Sequence, residues 1–252
     1  MGRRGMAAAI QLEWKDQSDK PQGIGHAEGA EEAMILYRDL IGIPTEDCGE
    51  PLLPLSEILP SVIARHQQSD MEPFTGGEIL LREGCIEKLR LASNLLRNER
   101  PKAILLIVYG YRHPTVQKKY FNSQLKRIQE CFPELEGDDL LEEAHKFISV
   151  PSVAGHPTGG AVDLTVLENG VLWEMGTTIA DFDQPEKIPT FSNQVTEKQK
   201  CCRLLLRSAM IRAGFAPFDG EWWHFSFGDK EWARYYKKAQ AIYEQIDLND
   251  ID

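Results

Sequence analysis

Ala161-Val162-Asp163-Leu164-Thr165-Val166-Leu167 runs directly into Glu168-Asn169-Gly170-Val171-Leu172-Trp173. The first seven residues form an otherwise apolar strand with a carboxylate inside it. Asn-Gly supplies the two positive-φ residues of a type I′ turn, so Val171-Leu172-Trp173 is expected to return antiparallel. A hairpin of this kind makes an antiparallel sheet the organising element.

Upstream, Ile86, Leu89, Ala92 and Leu96 recur at three- and four-residue spacing, which predicts an amphipathic helix ended by Pro101. Ala103-Ile104-Leu105-Leu106-Ile107-Val108-Tyr109 is continuously apolar and reads as a buried strand. Val116, Tyr120, Leu125 and Ile128 suggest the next helix, and residues 140–147 a third. Downstream, Thr196 and Gln199 form a capping box that opens a helix through Ile211, with Gly214 as its stop. Trp222-Trp223-His224-Phe225-Ser226-Phe227 reads as a strand. A last helix is expected from Lys230 to about Ile246. The fold class is therefore α+β: an antiparallel sheet with a β-hairpin core, flanked by helices.

Residues 1–30 are rich in Gly, Ala and polar residues and are expected to be poorly ordered. Residues 31–252 are read as one domain. Within it a short helix is expected over Glu32–Leu40, and the prolines at 51, 54 and 60 predict loops and short turns. A chain of 252 residues buries enough core to fold without a structural metal, so a metal site here would be catalytic. The net charge of −11 disfavours nucleic acid as a partner. No apolar run approaches the roughly 20 residues that span a bilayer. The two arginines near the start are followed by too short an apolar stretch for a secretory signal, so a cytoplasmic location is expected. The five cysteines form no C-x-x-C pair and read as reduced thiols.

Two of the six histidines lie in unusual company. Gly155-His156-Pro157-Thr158-Gly159-Gly160 surrounds one with glycines, which permit a sharp turn and close backbone approach. Asp163 follows inside the strand, where a carboxylate must be paired, hydrogen-bonded or metal-bound. A buried Asp accepting backbone hydrogen bonds satisfies that requirement equally well. Glu221 and His224 are the polar groups of Glu221-Trp222-Trp223-His224, and alone they fit a strand with a hydrogen-bonded core histidine. Taken together, two imidazoles and one carboxylate leave the fourth position of a tetrahedral zinc open for water, with a Glu spare for proton transfer. Residues three apart on a strand face opposite sides. Glu221 must therefore sit at a bend or at the strand's mouth to reach such a site. Tyr109-Gly110-Tyr111-Arg112-His113-Pro114 closes the buried strand, and Arg112 is either a surface residue of a turn or a donor for an oxyanion or carboxylate.

These motifs, in this order, resemble the VanX-type D-alanyl-D-alanine dipeptidases, zinc peptidases related to the D,D-carboxypeptidases. The first family motif is matched at His156, Gly159, Ala161 and Asp163, and the E-W-W-H motif at Glu221 to His224. Gly110-Tyr111-Arg112 and Met175-Gly176-Thr177 match two more. The resemblance covers roughly residues 75–233, leaving residues 31–74 as an atypical extension. It implies one zinc per chain held by His156, Asp163 and His224. Glu221 is implied as general base and then acid, and Arg112 as the group that stabilises the tetrahedral intermediate. Tyr111 is implied as a substrate contact, with Asp181 or Asp183 receiving the free amine of a small dipeptide, D-Ala-D-Ala before any other. Two departures stand out. The family's Ser before the motif's His falls at Ala154, and Thr178-Ile179-Ala180-Asp181-Phe182-Asp183 replaces a closer Phe-Asp. The rival readings are a D,D-carboxypeptidase or peptidoglycan endopeptidase, and a catalytically silent zinc or peptide-binding module.

Overall fold

The computed structural model describes residues 35–250. The chain divides into two units, residues 1–32 and 33–252, and the described elements all belong to the second. The poor order expected of residues 1–30 lies outside the described residues, as does the start of the helix expected from Glu32.

The described chain opens with a single turn, α1 (Tyr37–Leu40), and then β1 (Leu52–Pro54), α2 (Leu55–Ile58), β2 (Ile63–Ala64), α3 (Glu72–Thr75) and β3 (Leu80–Arg82). The prolines keep these pieces short, as expected, though the strands among them still find partners in sheets. Next come α4 (Glu83–Glu99), β4 (Ala103–Tyr109), α5 (Pro114–Cys131) and α6 (Gly137–His145). A 3-10 turn at His156–Thr158 leads into the hairpin β5 (Ala161–Glu168) and β6 (Val171–Leu172). Asn169 and Gly170 take φ of 54° and 79°, the left-handed pair that the turn demands. The chain then forms α7 (Glu197–Ala213), β7 (Ala216–Pro217), β8 (His224–Ser226) and α8 (Lys230–Tyr235). The capping box closes reciprocally, with Gln199 N–H donating to the Thr196 hydroxyl and Thr196 N–H to the Gln199 side chain. Gly214 ends α7 at φ 102°.

The main sheet runs β2-β4-β5-β8-β7, with β6 beside β5. Its pairings are antiparallel except β2 with β4, which is parallel. Side chains alternate across a strand. In β5, Val162, Leu164 and Val166 enter the core with Leu89 and Leu96 of α4 and Leu206 and Met210 of α7. Each such buried side chain contributes roughly 1.5–3 kcal/mol. Asp163 points to the other face. There Tyr109 of β4 lies opposite Asp163, and Asp163 lies opposite His224 of β8. The sheet register thus sets Tyr109, Asp163 and His224 in one row across three strands. A second core cluster joins α1, α5 and α6 through Leu40, Phe121, Ile128 and Ala144.

Two expectations are corrected. The strand read over Trp222–Phe227 is only three residues long, because Trp222 and Trp223 belong to the turn before it. The last helix stops at Tyr235 rather than Ile246. Lys237 takes a positive φ of 51°, and Ala241 and Ile242 bond instead to the Pro44 and Gly228 carbonyls. Tyr243 is buried by packing on Gly228 and Phe227, so its apolar character serves a tertiary contact and not a helix face.

Candidate active site

His156 is presented by a turn that only glycine flanks allow. A Cβ on Gly155 would lie 2.0 Å from an Asp229 carboxylate oxygen, and one on Gly159, at φ 74°, 2.3 Å from Leu52. The turn is pinned to the end of β4, since Arg112 N–H donates to the His156 carbonyl and His156 Nδ1 donates to the Gly110 carbonyl at 2.8 Å. That bond fixes the tautomer and leaves Nε2 free, 3.3 Å from Asp163 Oδ2. His224 brings Nδ1 to 3.0 Å from Asp163 Oδ1. Among the described residues, His156, Asp163 and His224 form a buried group whose ligand atoms all lie within 4.8 Å of one another.

The electrostatics match that geometry. Burial alone would raise the Asp163 carboxyl, but the His156 and His224 imidazoles outweigh it and hold the group well below the ordinary carboxylate range. Burial lowers the His156 imidazole. Burial works the same way on His224, yet the Asp163 and Glu231 carboxylates beside it prevail and raise it. Two imidazoles around one ionised carboxylate, all withdrawn from water, have the donor chemistry of a catalytic metal site with an open position.

Glu221 meets the condition set by its spacing from His224. It sits at a bend in the tight connection from β7 to β8, where Glu221 N–H donates to the Phe218 carbonyl and His224 N–H to the Glu221 carbonyl. Trp222 anchors this turn through its indole N–H on the Thr177 hydroxyl. Burial pushes the Glu221 carboxyl up to about 8.

Arg112 is not a surface residue. Its guanidinium lies 4.3 Å from the centre of the Tyr109 ring and 5.4 Å from that of Tyr120. One nitrogen donates to Gln117 Oε1 at 2.8 Å, and another stands 3.9 Å from Asp163 Oδ2. The hydroxyls of Tyr109 and Tyr120 both donate to Asp70, which locks the two rings.

His156, Asp163, His224, Glu221 and Arg112 line a single cavity of about 310 Å³. The groups expected to touch substrate do not all join them. Tyr111 is 1 % exposed, donates its hydroxyl to the Ile246 carbonyl at 2.7 Å, and packs with Met71 and Val116. It does not line this cavity. Asp181 lines an adjoining cavity of about 730 Å³ that shares Gln67, Val108 and Ile179 with the first. Asp183 is exposed, and its N–H donates to Asp181 Oδ1. Sequence reasoning missed Gln117 and Tyr120, which position Arg112. It also missed Glu231, whose Oε2 lies 3.5 Å from His224 Nε2. Gln117 and Tyr120 could have been found from their place one or two turns into the helix after Arg112. Glu231 carried no such signal.

A small cavity in an α+β fold, holding a buried His-Asp-His group and a further carboxylate, fits a metallopeptidase. A family profile described as D-ala-D-ala dipeptidase matches residues 52–242, and the chain belongs to that family. The match reaches upstream of the stretch covered by the motifs. A D-alanyl-D-alanine dipeptidase of Synechocystis sp. is 27 % identical over 82 % of this chain and 93 % of its own length. One of Enterococcus faecium is 28 % identical over 42 % of this chain and 50 % of its own. A solved structure of a vancomycin-resistance D,D-dipeptidase with a D-Ala-D-Ala phosphinate analogue aligns at 16 % identity and a TM-score of 0.38. That alignment covers 84 % of this chain and 69 % of the other.

Proposed function

We propose that the protein holds one zinc ion through His156, Asp163 and His224 and hydrolyses D-Ala-D-Ala to free alanine. The observation that carries this reading is the convergence of the three buried donors and Glu221 on one cavity. The names of the relatives in Synechocystis and Enterococcus faecium support the substrate. The cavity volume supports a small one, since it lies at the lower end of the roughly 300–1,000 Å³ usual for ligand sites.

The chemistry that zinc supplies when bound is polarisation of the scissile carbonyl and acidification of a water. Glu221 takes the water's proton and later delivers it to the leaving amine. Its place at the bend before His224 puts its carboxylate on the wall of the cavity that the three donors share. Arg112, held against Tyr109 and Tyr120, offsets negative charge developing on the carbonyl oxygen. Asp181 is the better-placed acceptor for the free amine, because it lines the cavity next door while Asp183 faces solvent.

The test is alanine release by zinc-loaded protein from D-Ala-D-Ala and from N-acetyl-D-Ala-D-Ala. The dipeptide is expected to be cleaved at least tenfold more efficiently, because the acetyl group leaves Asp181 without its ammonium partner. Efficient cleavage of the acetylated peptide would favour a carboxypeptidase, and no release from either would remove the reading.

A further inference from the structure

The two histidines of the cluster are anchored differently on their far sides. His156 Nδ1 donates to a backbone carbonyl, Gly110 O at 2.8 Å, so its tautomer is set by the fold itself. Among the described residues, no carbonyl anchors His224 in that way. Its Nε2 is buried without an aligned hydrogen bond, and the nearest charged oxygen is Glu231 Oε2 at 3.5 Å. Glu231 is 5 % exposed and sits in the first turn of α8, where Asp229 caps the helix by accepting the Trp232 N–H at 2.8 Å. A buried carboxylate is costly unless it is paired or hydrogen-bonded, and the His224 ring offers it an N–H.

We infer that Glu231 is a positioning residue for the metal site: its carboxylate accepts the Nε2–H of His224 and so leaves the Nδ1 lone pair on the side where Asp163 and His156 converge. The inference rests on the assignment of zinc to this cluster. His224 Nδ1 faces Asp163 Oδ1 at 3.0 Å. To serve as a ligand, Nδ1 must offer its lone pair, so the ring proton has to reside on Nε2. Glu231 is the acceptor within reach there. A carboxylate behind a metal-bound histidine fixes the ring's orientation and raises its basicity, and loss of such a partner typically lowers metal affinity by about 10–100-fold.

The experiment measures zinc affinity by chelator competition for wild type, Glu231→Ala and Glu231→Gln. Glu231→Ala is expected to bind zinc about 10–100-fold more weakly. Glu231→Gln keeps an oxygen that accepts the same N–H, and is expected to recover part of that loss. Wild-type affinity, within about twofold, in Glu231→Ala would overturn the inference, given the tenfold or greater loss expected of such a partner. The imidazole NMR spectrum of zinc-loaded wild type supplies a readout that needs no variant. His224 is expected to carry its proton on Nε2 with a downfield resonance, and a proton on Nδ1 would overturn the inference even if Glu231→Ala fails to fold. A wild-type protein that takes up no zinc would overturn the metal-site reading as well. Zinc-loaded wild type with an unaffected Glu231→Ala would overturn the role of Glu231 alone.

Discussion

The metal side of the cavity and the wall that carries Ile179, Ala180 and Phe182 are built in opposite ways. Asp163 and His224 are paired residues of neighbouring strands, and His156 is clamped to the end of a third. Moving any one of them requires breaking hydrogen bonds of the sheet or its margin. Residues 177–184 contain no helix or strand, and Ala180 even takes a positive φ of 59°. Among the described residues, Gln67, which also lines the cavity, ties this wall through its Nε2 to the Ile179 carbonyl at 3.4 Å. On the function proposed above, reaction chemistry rests on sheet register, while choice of substrate rests on loops that tolerate change.

If that division holds, the largest effects should come from the metal side. Glu221→Gln is nearly isosteric and leaves the three donors intact, so zinc content should stay at one per chain while turnover falls. Loss of a positioned general base lowers rates by about 10²–10⁴. Turnover within about tenfold of wild type, short of that range, would dismiss Glu221 from the mechanism.

The same variant should stabilise the metal-free protein in a pH-dependent way. The folded-state pKa of Glu221 lies near 8, against an ordinary value of 4.5. Below pH 4.5 the group is protonated in both states, and its contribution is intact. As pH rises from 4.5 to 8 only the unfolded chain gives up the proton, so this contribution is progressively lost. Above pH 8 the buried anion is a constant penalty. Metal-free Glu221→Gln should therefore match wild type near pH 4.5 and exceed it at about pH 9 by on the order of a few kcal/mol in denaturant melts. Parallel stability curves would contradict the burial of an idle carboxylate there.

Effects on the loop side should be smaller and confined to substrate use. Asp181→Asn removes a charged hydrogen-bond acceptor worth about 1.5–3 kcal/mol. For D-Ala-D-Ala, kcat/KM should drop by roughly tenfold to a hundredfold. Asp183→Asn, which alters an exposed side chain, should change it by less than about twofold. A reversed order would move the amine site out to the exposed carboxylate. Smallest of all, Tyr111→Phe should lower stability by about 1 kcal/mol through the lost bond to the Ile246 carbonyl, with kcat/KM unchanged. A catalytic defect in that variant would restore Tyr111 as a substrate contact.

The same contrast governs what could be read from the amino-acid sequence. The Asn169-Gly170 hairpin, the Thr196 capping box and the glycines around His156 each have a local cause, so local reading found them. Asp163 was conspicuous because a carboxylate interrupts an apolar strand. Glu221 was expected at a bend, and the turn from Phe218 to His224 provides one. Tyr111 and Asp181 were harder, because the direction of a loop side chain is set by distant partners such as Ile246 and Gln67. The Tyr109–Arg112–Tyr120 stack joins the end of β4 to a helix turn through a hydroxyl contact with Asp70, far away in the chain. The end of α8 was misread for a similar reason. Ala241 and Tyr243 are both buried, Tyr243 against Phe227, and no periodicity distinguishes that from a helical face.

The central claim is the identity of the three metal donors, and anomalous diffraction at the zinc edge tests it most directly. Crystals of the zinc-loaded protein are expected to show one strong peak per chain. It should lie about 2.0–2.2 Å from His156 Nε2, an Asp163 carboxylate oxygen and His224 Nδ1, with Glu221 outside the coordination sphere. A peak elsewhere in the molecule, or one coordinated by Glu221 in place of any of the three, would contradict the account.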